Sequence, residues 1–241
     1  MPIKAVLFDM FDTLMLIEKN HEFYSPSLMR MYTFLYKNGI NVSFETFNAA
    51  YIEARDCLYA KADLNFEEPH FNLRVSEALK SLGYNYAVSN SLVTEATQEF
   101  CKEFMKYVRI DENALAMLKA LHGKYKLGII SNFAIPECVL KLLEADHLDG
   151  LFDVVVVSAA VNKRKPCPEI FNDTLKKLLV DASETAFVGD TVDADVEGAK
   201  AVGMRAIYIE RRIQKFEKVC PDQTIKSLDE LPSALENYGK R

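Results

Sequence analysis

The 241-residue sequence has no long hydrophobic run, no paired-cysteine motif and no excess of positive charge. Without an apolar stretch of the ~20 residues that a membrane helix needs, we expect no membrane association. The five cysteines are odd in number and have no Cys-x-x-Cys spacing, which predicts neither a disulfide framework nor a zinc site. A formal net charge of −6 disfavours nucleic acid as a partner, because phosphate binding draws on clustered Lys and Arg.

The sequence also lacks a recognisable targeting signal at its start. Only Lys4 precedes a short apolar run that Asp9 interrupts, and no small-residue cleavage site follows. We therefore expect a cytoplasmic protein. Hydrophobic residues make up 49% of the chain and charged residues 27%, as in ordinary globular proteins. The length predicts one core domain with a sizeable insert.

Short apolar runs alternate with helical stretches along most of the chain. The runs predicted as buried strands are 3–8, 127–130, 154–157, 186–188 and 206–209. Helical stretches follow them, and Pro136 and Pro168 stand where two of these helices are expected to begin. Strands that alternate with helices predict an α/β fold with a doubly wound parallel sheet.

The pattern changes between residues 16 and 107, where no strand-like run appears and apolar residues recur at helical spacing. Four helices are predicted there from residues that cap or stop helices, namely Ser25, Gly39, Ser43, Gly83 and Ser91. We predict an all-helical cap domain at 16–107, inserted into a core made of 1–15 and 108–241. Since the insert follows the first strand, it should cover the carboxyl ends of the sheet and exclude water from a site there.

Polar side chains follow four of the predicted strands. In chain order they are Asp9, Thr13, Ser131, Asn132, Lys165, Asp190 and Asp195. The carboxyl ends of parallel strands lie at one edge of a sheet, so these groups can converge there. Ser131 or Asn132 alone is more often a turn or cap residue, and it is the convergence of all these groups that predicts a site.

These residues resemble the four motifs of the haloacid dehalogenase (HAD) superfamily of aspartyl-nucleophile hydrolases. From the first motif to the fourth, the matching residues are Asp9, Thr13, Ser131, Lys165, Asp190 and Asp195. The motifs occur in order over essentially the whole chain, and the insert matches the cap that the family places after its first motif. The resemblance implies a Rossmann-like HAD core.

The family pattern implies a Mg²⁺-dependent hydrolase in which Asp9 attacks the substrate and forms an aspartyl-phosphate. Asp9, Asp190 and the backbone carbonyl of Phe11 would bind the metal, because Mg²⁺ prefers oxygen ligands. Lys165 would neutralise charge on the nucleophile and the phosphoryl group, and Ser131 would donate to a phosphoryl oxygen.

Other residues of the motifs are expected to have supporting roles. Asn132 would contact the substrate beside Ser131, and Asp195 and Thr13 would lie just outside the metal ligands. The basic residues Lys163 and Arg164 are expected to be solvated. The cluster of Arg211, Arg212, Lys215 and Lys218 is expected to lie on a solvated loop or helix face. The expected partner is a small-molecule substrate, and the chain is expected to be a monomer or a homodimer.

The first motif departs from the family pattern at Phe11. Family phosphatases usually have a second Asp there, which protonates the leaving group and later activates water. A general acid or base contributes ~10²–10⁴-fold, so its loss would slow phosphoester turnover. Asp12 is the first candidate for a substitute acid, followed by Glu18 and His21 at the entry to the insert.

Several functions remain open at this point. A phosphatase is favoured, because Asp190 and Asp195 are retained. A 2-haloacid dehalogenase is the main alternative, since such enzymes lack the second Asp but tend to lose the metal-binding fourth motif. A phosphonate hydrolase would need a cap lysine such as Lys61 to form a Schiff base. A non-catalytic phosphometabolite-binding protein is the last, although such a protein would have little reason to keep both Asp9 and Lys165.

Overall fold

A computed structural model describes residues 2–18, 22–211, 219–236 and 238 of the chain. The strands of this part, in chain order, are β1 (Ala5–Phe8), β2 (Met15–Ile17), β3 (Val108–Ile110), β4 (Lys126–Ser131), β5 (Val154–Val157), β6 (Thr185–Gly189), β7 (Arg205–Ile209) and β8 (Gln223–Ile225). Within the described residues, six of them form one sheet in the order β5-β4-β1-β6-β7-β8, and all its neighbouring pairs are parallel. The predicted doubly wound sheet is confirmed.

Helices occupy most of the remaining described residues. In chain order they are α1 (Tyr24–Lys37), α2 (Phe44–Ala62), α3 (Phe71–Ser81), α4 (Ser91–Phe104), α5 (Ala114–Leu121), α6 (Pro136–Ala145), α7 (Ser158–Val161), α8 (Pro168–Leu178), α9 (Gly198–Ala201) and α10 (Leu231–Glu236). A π-helical turn, Val192–Glu197, directly precedes α9. No helix in the described ranges is both long enough and apolar enough to cross a bilayer.

Side chains that alternate along the strands build two apolar layers, one on each face of the sheet. Val6 and Phe8 of β1 belong to the layer that contains α5, α6 and the cap helices, whereas Ala5 and Leu7 belong to the layer with α8 and α9. Both faces of the central strand are therefore buried, which explains its continuous apolar run.

The four helices α1 to α4 form the cap, and β2 and β3 connect it to the core. These two strands pair antiparallel, so the chain enters and leaves the cap at the same place. Ser43 caps α2 by accepting a hydrogen bond from Thr46, and Asn90 caps α4 by accepting one from Leu92. The inserted helical cap is confirmed as part of the fold, and its bounds at 16–107 stay a prediction.

Three short strands were not predicted. The expectation that residues 16–107 contain no strand was wrong at its start, because β2 covers Met15–Ile17. β2, β3 and β8 have three residues each and are only partly buried, so they show neither a long apolar run nor a clear alternation.

Candidate active site

Asp9 follows the central strand of the sheet and lies between two neighbours in register. Phe8 pairs with Ile129 of β4 on one side and with Val188 of β6 on the other. The backbone N–H of Asp9 donates to the carbonyl of Val188 over 2.8 Å, which extends this pairing by one residue. The carboxyl group of Asp9 is thereby fixed at the carboxyl edge of the sheet, between the ends of β4 and β6.

Lys165 joins the first and fourth motifs. Its Nζ donates to Oδ1 of Asp9 over 2.6 Å and to Oδ1 of Asp195 over 2.7 Å, and its side chain is only 1% exposed. The ammonium also lies 5.0 Å from the centre of the Phe187 ring. A residue from the third predicted strand end therefore meets residues from the first and fourth, as the convergence argument predicts.

Burial and charge shift the pKa values of these groups. Burial raises the pKa of Asp9 and raises that of Asp195 to about 6, while Lys165 acts in the opposite direction on both carboxyls. Burial would lower the pKa of Lys165, but Asp195 and Asp9 outweigh it and raise the pKa of this lysine. Lys165 is therefore held as a cation beside the nucleophile position.

Three buried acids lie close together at this edge of the sheet. Asp9, Asp190 and Asp195 each offer one carboxylate oxygen, and these oxygens lie within 4.8 Å of one another. The negative charge of three carboxylates exceeds the positive charge of the Lys165 ammonium. An all-oxygen donor set of this kind suits a hard divalent cation such as Mg²⁺. The donor set therefore fits the metal that the family pattern implies.

The oxygens of Asp195 already have protein partners. Oδ1 accepts from Lys165, and Oδ2 accepts from the backbone N–H of Thr191 over 2.9 Å. Gly189 makes room for this carboxylate, because a Cβ at that position would lie 2.3 Å from Oδ2 of Asp195. Both oxygens of Asp195 therefore accept hydrogen bonds within the protein, and one of them contacts Lys165. Metal binding by Asp9 and Asp190 stays a prediction.

Two buried hydroxyls of the motifs have no hydrogen-bond partner in the part of the chain that the structure describes. They are Oγ of Ser131 and Oγ1 of Thr13, and both residues are fully buried. An unsatisfied buried hydroxyl is costly, so such groups usually mark a place where another acceptor or donor binds. These hydroxyls, one at the end of β4 and one in the loop between β1 and β2, are suited to donate to phosphoryl oxygens.

Asn132 clamps the backbone of Lys165. Its Nδ2 donates to the Lys165 carbonyl over 2.9 Å, and its Oδ1 accepts from the Lys165 N–H over 2.8 Å. This two-point contact fixes the start of the lysine side chain relative to β4. A direct contact of Asn132 with substrate stays a prediction.

Phe11 is half-buried and its ring lies among aromatic side chains. Ring centres are 4.8 Å apart for Phe11 and Phe133, after β4, and 5.5 Å apart for Phe11 and Phe104, in α4 of the cap. The position that usually holds an acid is therefore part of the apolar contact between core and cap. That the Phe11 carbonyl binds metal stays a prediction.

The candidates for a substitute acid differ in their surroundings. Asp12 has a left-handed backbone, with φ of 56°, and its Oδ1 accepts from the N–H of Ile17 over 3.2 Å, so this oxygen stabilises the turn into β2. Glu18 is exposed and pairs with Arg109 over 2.6 Å. His21 lies outside the described residues. The role of Asp12 as an acid stays a prediction.

Two arginines expected to be solvated are instead mostly buried and contact distant segments of the chain, which corrects that expectation; Lys163 likewise donates to the Asn65 carbonyl over 3.1 Å. Arg212, Lys215 and Lys218 lie outside the described residues. Arg164 pairs with Asp63 of the cap and donates to the carbonyl of Glu67 over 3.0 Å. Arg211 donates to the carbonyls of Asp12 and Thr13 over 3.2 and 3.0 Å. Their partners are about 100 to 200 residues away in the sequence, so no local pattern could have revealed them.

Comparison with known proteins agrees with this geometry. The model of the haloacid dehalogenase-like hydrolase family matches residues 3–203. A glyceraldehyde 3-phosphate phosphatase of Pyrococcus abyssi is 31% identical over 207 residues, which is 86% of this chain and 81% of that protein. A phosphatase is therefore similar in sequence to this chain over most of its length.

Two solved structures share the fold over nearly their whole length. A 2-haloacid dehalogenase from Pseudomonas syringae pv. Tomato has a TM-score of 0.78 and 26% identity, with 98% of this chain and 99% of that chain covered. A HAD phosphatase from Thermococcus onnurineus has a TM-score of 0.66 and 27% identity, with 97% and 98% covered. The family match, the sheet and the converging motif residues together show that the chain belongs to the haloacid dehalogenase-like hydrolases and is an enzyme of that superfamily.

Proposed function

We propose that the chain is a Mg²⁺-dependent phosphatase that acts on a small-molecule phosphomonoester through Asp9. The observation that carries this proposal is the buried cluster of Asp9, Asp190 and Asp195. The combined negative charge of these carboxylates exceeds the positive charge of Lys165. A divalent cation between Asp9 and Asp190 would offset the repulsion of these two carboxylates, which raises the pKa of Asp9. The relative from Pyrococcus abyssi, a phosphatase, supports the same choice.

The residues divide the chemistry between them. Oδ of Asp9 attacks phosphorus, the ester P–O bond breaks, and the alcohol oxygen leaves with the bonding electrons. Lys165, which contacts Asp9, offsets the charge of the nucleophile, while the hydroxyls of Ser131 and Thr13 donate to phosphoryl oxygens. Mg²⁺ held by Asp9 and Asp190 would supply further charge neutralisation. Water then hydrolyses the aspartyl-phosphate and restores Asp9.

The Phe11 side chain has no proton to give to the departing alcohol, so another group must supply it. Asp12 remains the proposed source, although its Oδ1 is bonded to Ile17. A substrate with a good leaving group needs this proton less, because its anion is stable in water. We therefore expect p-nitrophenyl phosphate to be hydrolysed faster than alkyl phosphates.

A 2-haloacid dehalogenase is the second candidate. Phe11 favours it, since halide leaves without a proton, and the structure of such an enzyme from Pseudomonas syringae has a TM-score of 0.78. The two functions differ in their need for metal and in the bond that Asp9 breaks.

The test measures phosphate release from phosphomonoesters and halide release from 2-haloacids, with Mg²⁺ and with a chelator. For the phosphatase, phosphate release requires Mg²⁺, and Asp9→Asn lowers it by ~10³-fold or more. Asp193→Asn, the same change at an exposed position near the site, should leave activity near the wild-type level. Halide release at the same rate with and without the chelator would establish the dehalogenase. Phosphate binding without release of either product would indicate a binding protein.

A further inference from the structure

Ser158 is a fully buried serine that bridges two strand ends at the carboxyl edge of the sheet. It is the first residue of α7, directly after β5. Its Oγ accepts from the N–H of Phe133 over 2.9 Å and donates to the carbonyl of Phe133 over 3.3 Å. Since Val157 pairs in register with Ser131, these two bonds tie the end of β5 to the loop that follows β4.

The hydroxyl of Ser158 does not have the usual local role of a serine at a helix start. Such a serine normally accepts from a backbone N–H of the first helical turn and so caps the helix. Within the described residues, no side chain caps α7. The single hydroxyl proton of Ser158 goes instead to Phe133, 25 residues away in the chain. The bond pair therefore serves the loop after β4 rather than α7.

That loop carries two of the groups proposed to act on the phosphoryl group. Oγ of Ser131 is buried and has no hydrogen-bond partner among the described residues. The next residue, Asn132, bonds to both backbone groups of Lys165 over 2.8 and 2.9 Å. Because Phe133 follows directly, a shift of its backbone would move the Ser131 hydroxyl and the Asn132 amide together.

The backbone of Ser158 reaches the lysine from the other side. Its carbonyl accepts from the N–H of Asn162, and over 3.2 Å from the N–H of Lys163, two residues before Lys165. Asn162 has a left-handed backbone, with φ of 50°, which turns the chain from α7 toward the lysine. Ser158 is therefore connected to Lys165 both through Asn132 and along the chain.

We propose that Ser158 is a positioning residue of the phosphoryl site. Its hydroxyl holds the loop after β4 so that the Ser131 hydroxyl and the Lys165 ammonium act on the same phosphoryl group, and it does so without contact to substrate. Precise placement matters here, because a shift of ~1 Å in a group that stabilises a transition state can cost ~10²-fold in rate. This inference rests on the proposed phosphatase function.

The experiment compares Ser158→Ala with Thr185→Val, using p-nitrophenyl phosphate as substrate and inorganic phosphate as competitive inhibitor. Thr185 is also fully buried and donates to a carbonyl, that of Asp181 over 2.9 Å, but it lies at the amino end of β6. Ser158→Ala should lower kcat/KM by ~10-fold or more and raise the Ki of inorganic phosphate. Thr185→Val should unfold more easily in urea and keep wild-type values of both.

A double-mutant cycle with Ser131→Ala separates positioning from a merely structural role. Ser158→Ala should reduce kcat/KM by a smaller factor when the Ser131 hydroxyl is already absent, since part of its effect passes through that hydroxyl. Equal factors in the two backgrounds would overturn the inference, as would an equal loss of activity in Thr185→Val.

The outcomes separate this inference from the proposed function. Wild-type kcat/KM and phosphate inhibition in Ser158→Ala would overturn the role of Ser158 and leave the phosphatase proposal intact. Absence of phosphate release from every ester by the wild type would reject the phosphatase, and this role with it. If Ser158→Ala fails to fold by circular dichroism, Ser158→Cys decides, because a thiol of similar shape is only a weak donor and acceptor. Wild-type activity in that variant would overturn the role.

Discussion

Phe11 stands at the position of the usual second Asp, and its side chain lies in apolar surroundings. Its ring contacts Phe133 and Phe104, and those two rings also stack with centres 5.2 Å apart. Burial among apolar groups raises the pKa of a carboxyl and so favours its protonated form. A carboxyl introduced at this position would therefore be able to give a proton to a leaving alcohol.

The variant Phe11→Asp tests this directly, with Phe11→Asn as its matched control. Both lose the ring contacts, but only the aspartate can transfer a proton. On glycerol 3-phosphate, Phe11→Asp should turn over at least ~10-fold faster than Phe11→Asn, with a smaller advantage on p-nitrophenyl phosphate, whose leaving group needs no proton. Equal steady-state rates for the two variants on glycerol 3-phosphate would show that another residue supplies the proton.

At the scale of elements, the loop between β1 and β2 is held from outside by Arg211, which follows β7. This arginine donates to the carbonyls of Asp12 and Thr13, and it pairs over 2.8 Å with Asp111, just after β3. The N–H of Asp111 in turn donates to Leu14 over 2.9 Å. These contacts fix the backbone that carries the Thr13 hydroxyl, so Arg211 supports the site without touching the nucleophile.

Arg211→Met should therefore lower both stability and activity. It leaves the carboxylate of Asp111, only 7% exposed, without its partner, and we expect unfolding in urea to need about 2 kcal/mol less free energy. The double variant Arg211→Met with Asp111→Asn should recover part of this loss, because no unpaired charge remains. Strictly additive effects of the two changes would contradict the coupling.

The sequence predicts the elements and site residues whose signals are local. Asp9, Ser131 and Asp190 each stand at the end of an apolar run, and such runs mark buried strands. The contacts of Arg164 and Arg211 join residues that are far apart in the chain, so they depend on how the elements pack. The residues next to each arginine in the sequence do not indicate these distant contacts, which is why both arginines were expected at the surface.

At the scale of the whole molecule, the cap contacts the core at several places besides the aromatic cluster around Phe11. One is the covalent ribbon of β2 and β3. Another is the start of α3, where the N–H of Phe71 donates to the carbonyl of Ala134 over 2.9 Å. A further one is the cap segment 63–68, which lies on the loop that leads to Lys165. There the N–H of Arg164 donates to Phe66 over 2.8 Å, and Nζ of Lys163 donates to Asn65 over 3.1 Å. This last contact ties the position of the cap to the loop of the proposed catalytic lysine.

Loss of the Arg164 side chain should loosen the segment 63–68 and weaken substrate binding. Arg164→Met removes both the ion pair with Asp63 and the bond to the Glu67 carbonyl, whereas Asp63→Asn leaves the second bond in place. Hydrogen exchange in 63–68 should therefore rise most in Arg164→Met, less in Asp63→Asn, and not in Lys176→Met, an exposed control on α8. KM should increase in the same order, since a cap that stays closed for less time binds substrate more weakly. Unchanged exchange in Arg164→Met would mean that the other contacts between cap and core hold the cap over the site without this side chain.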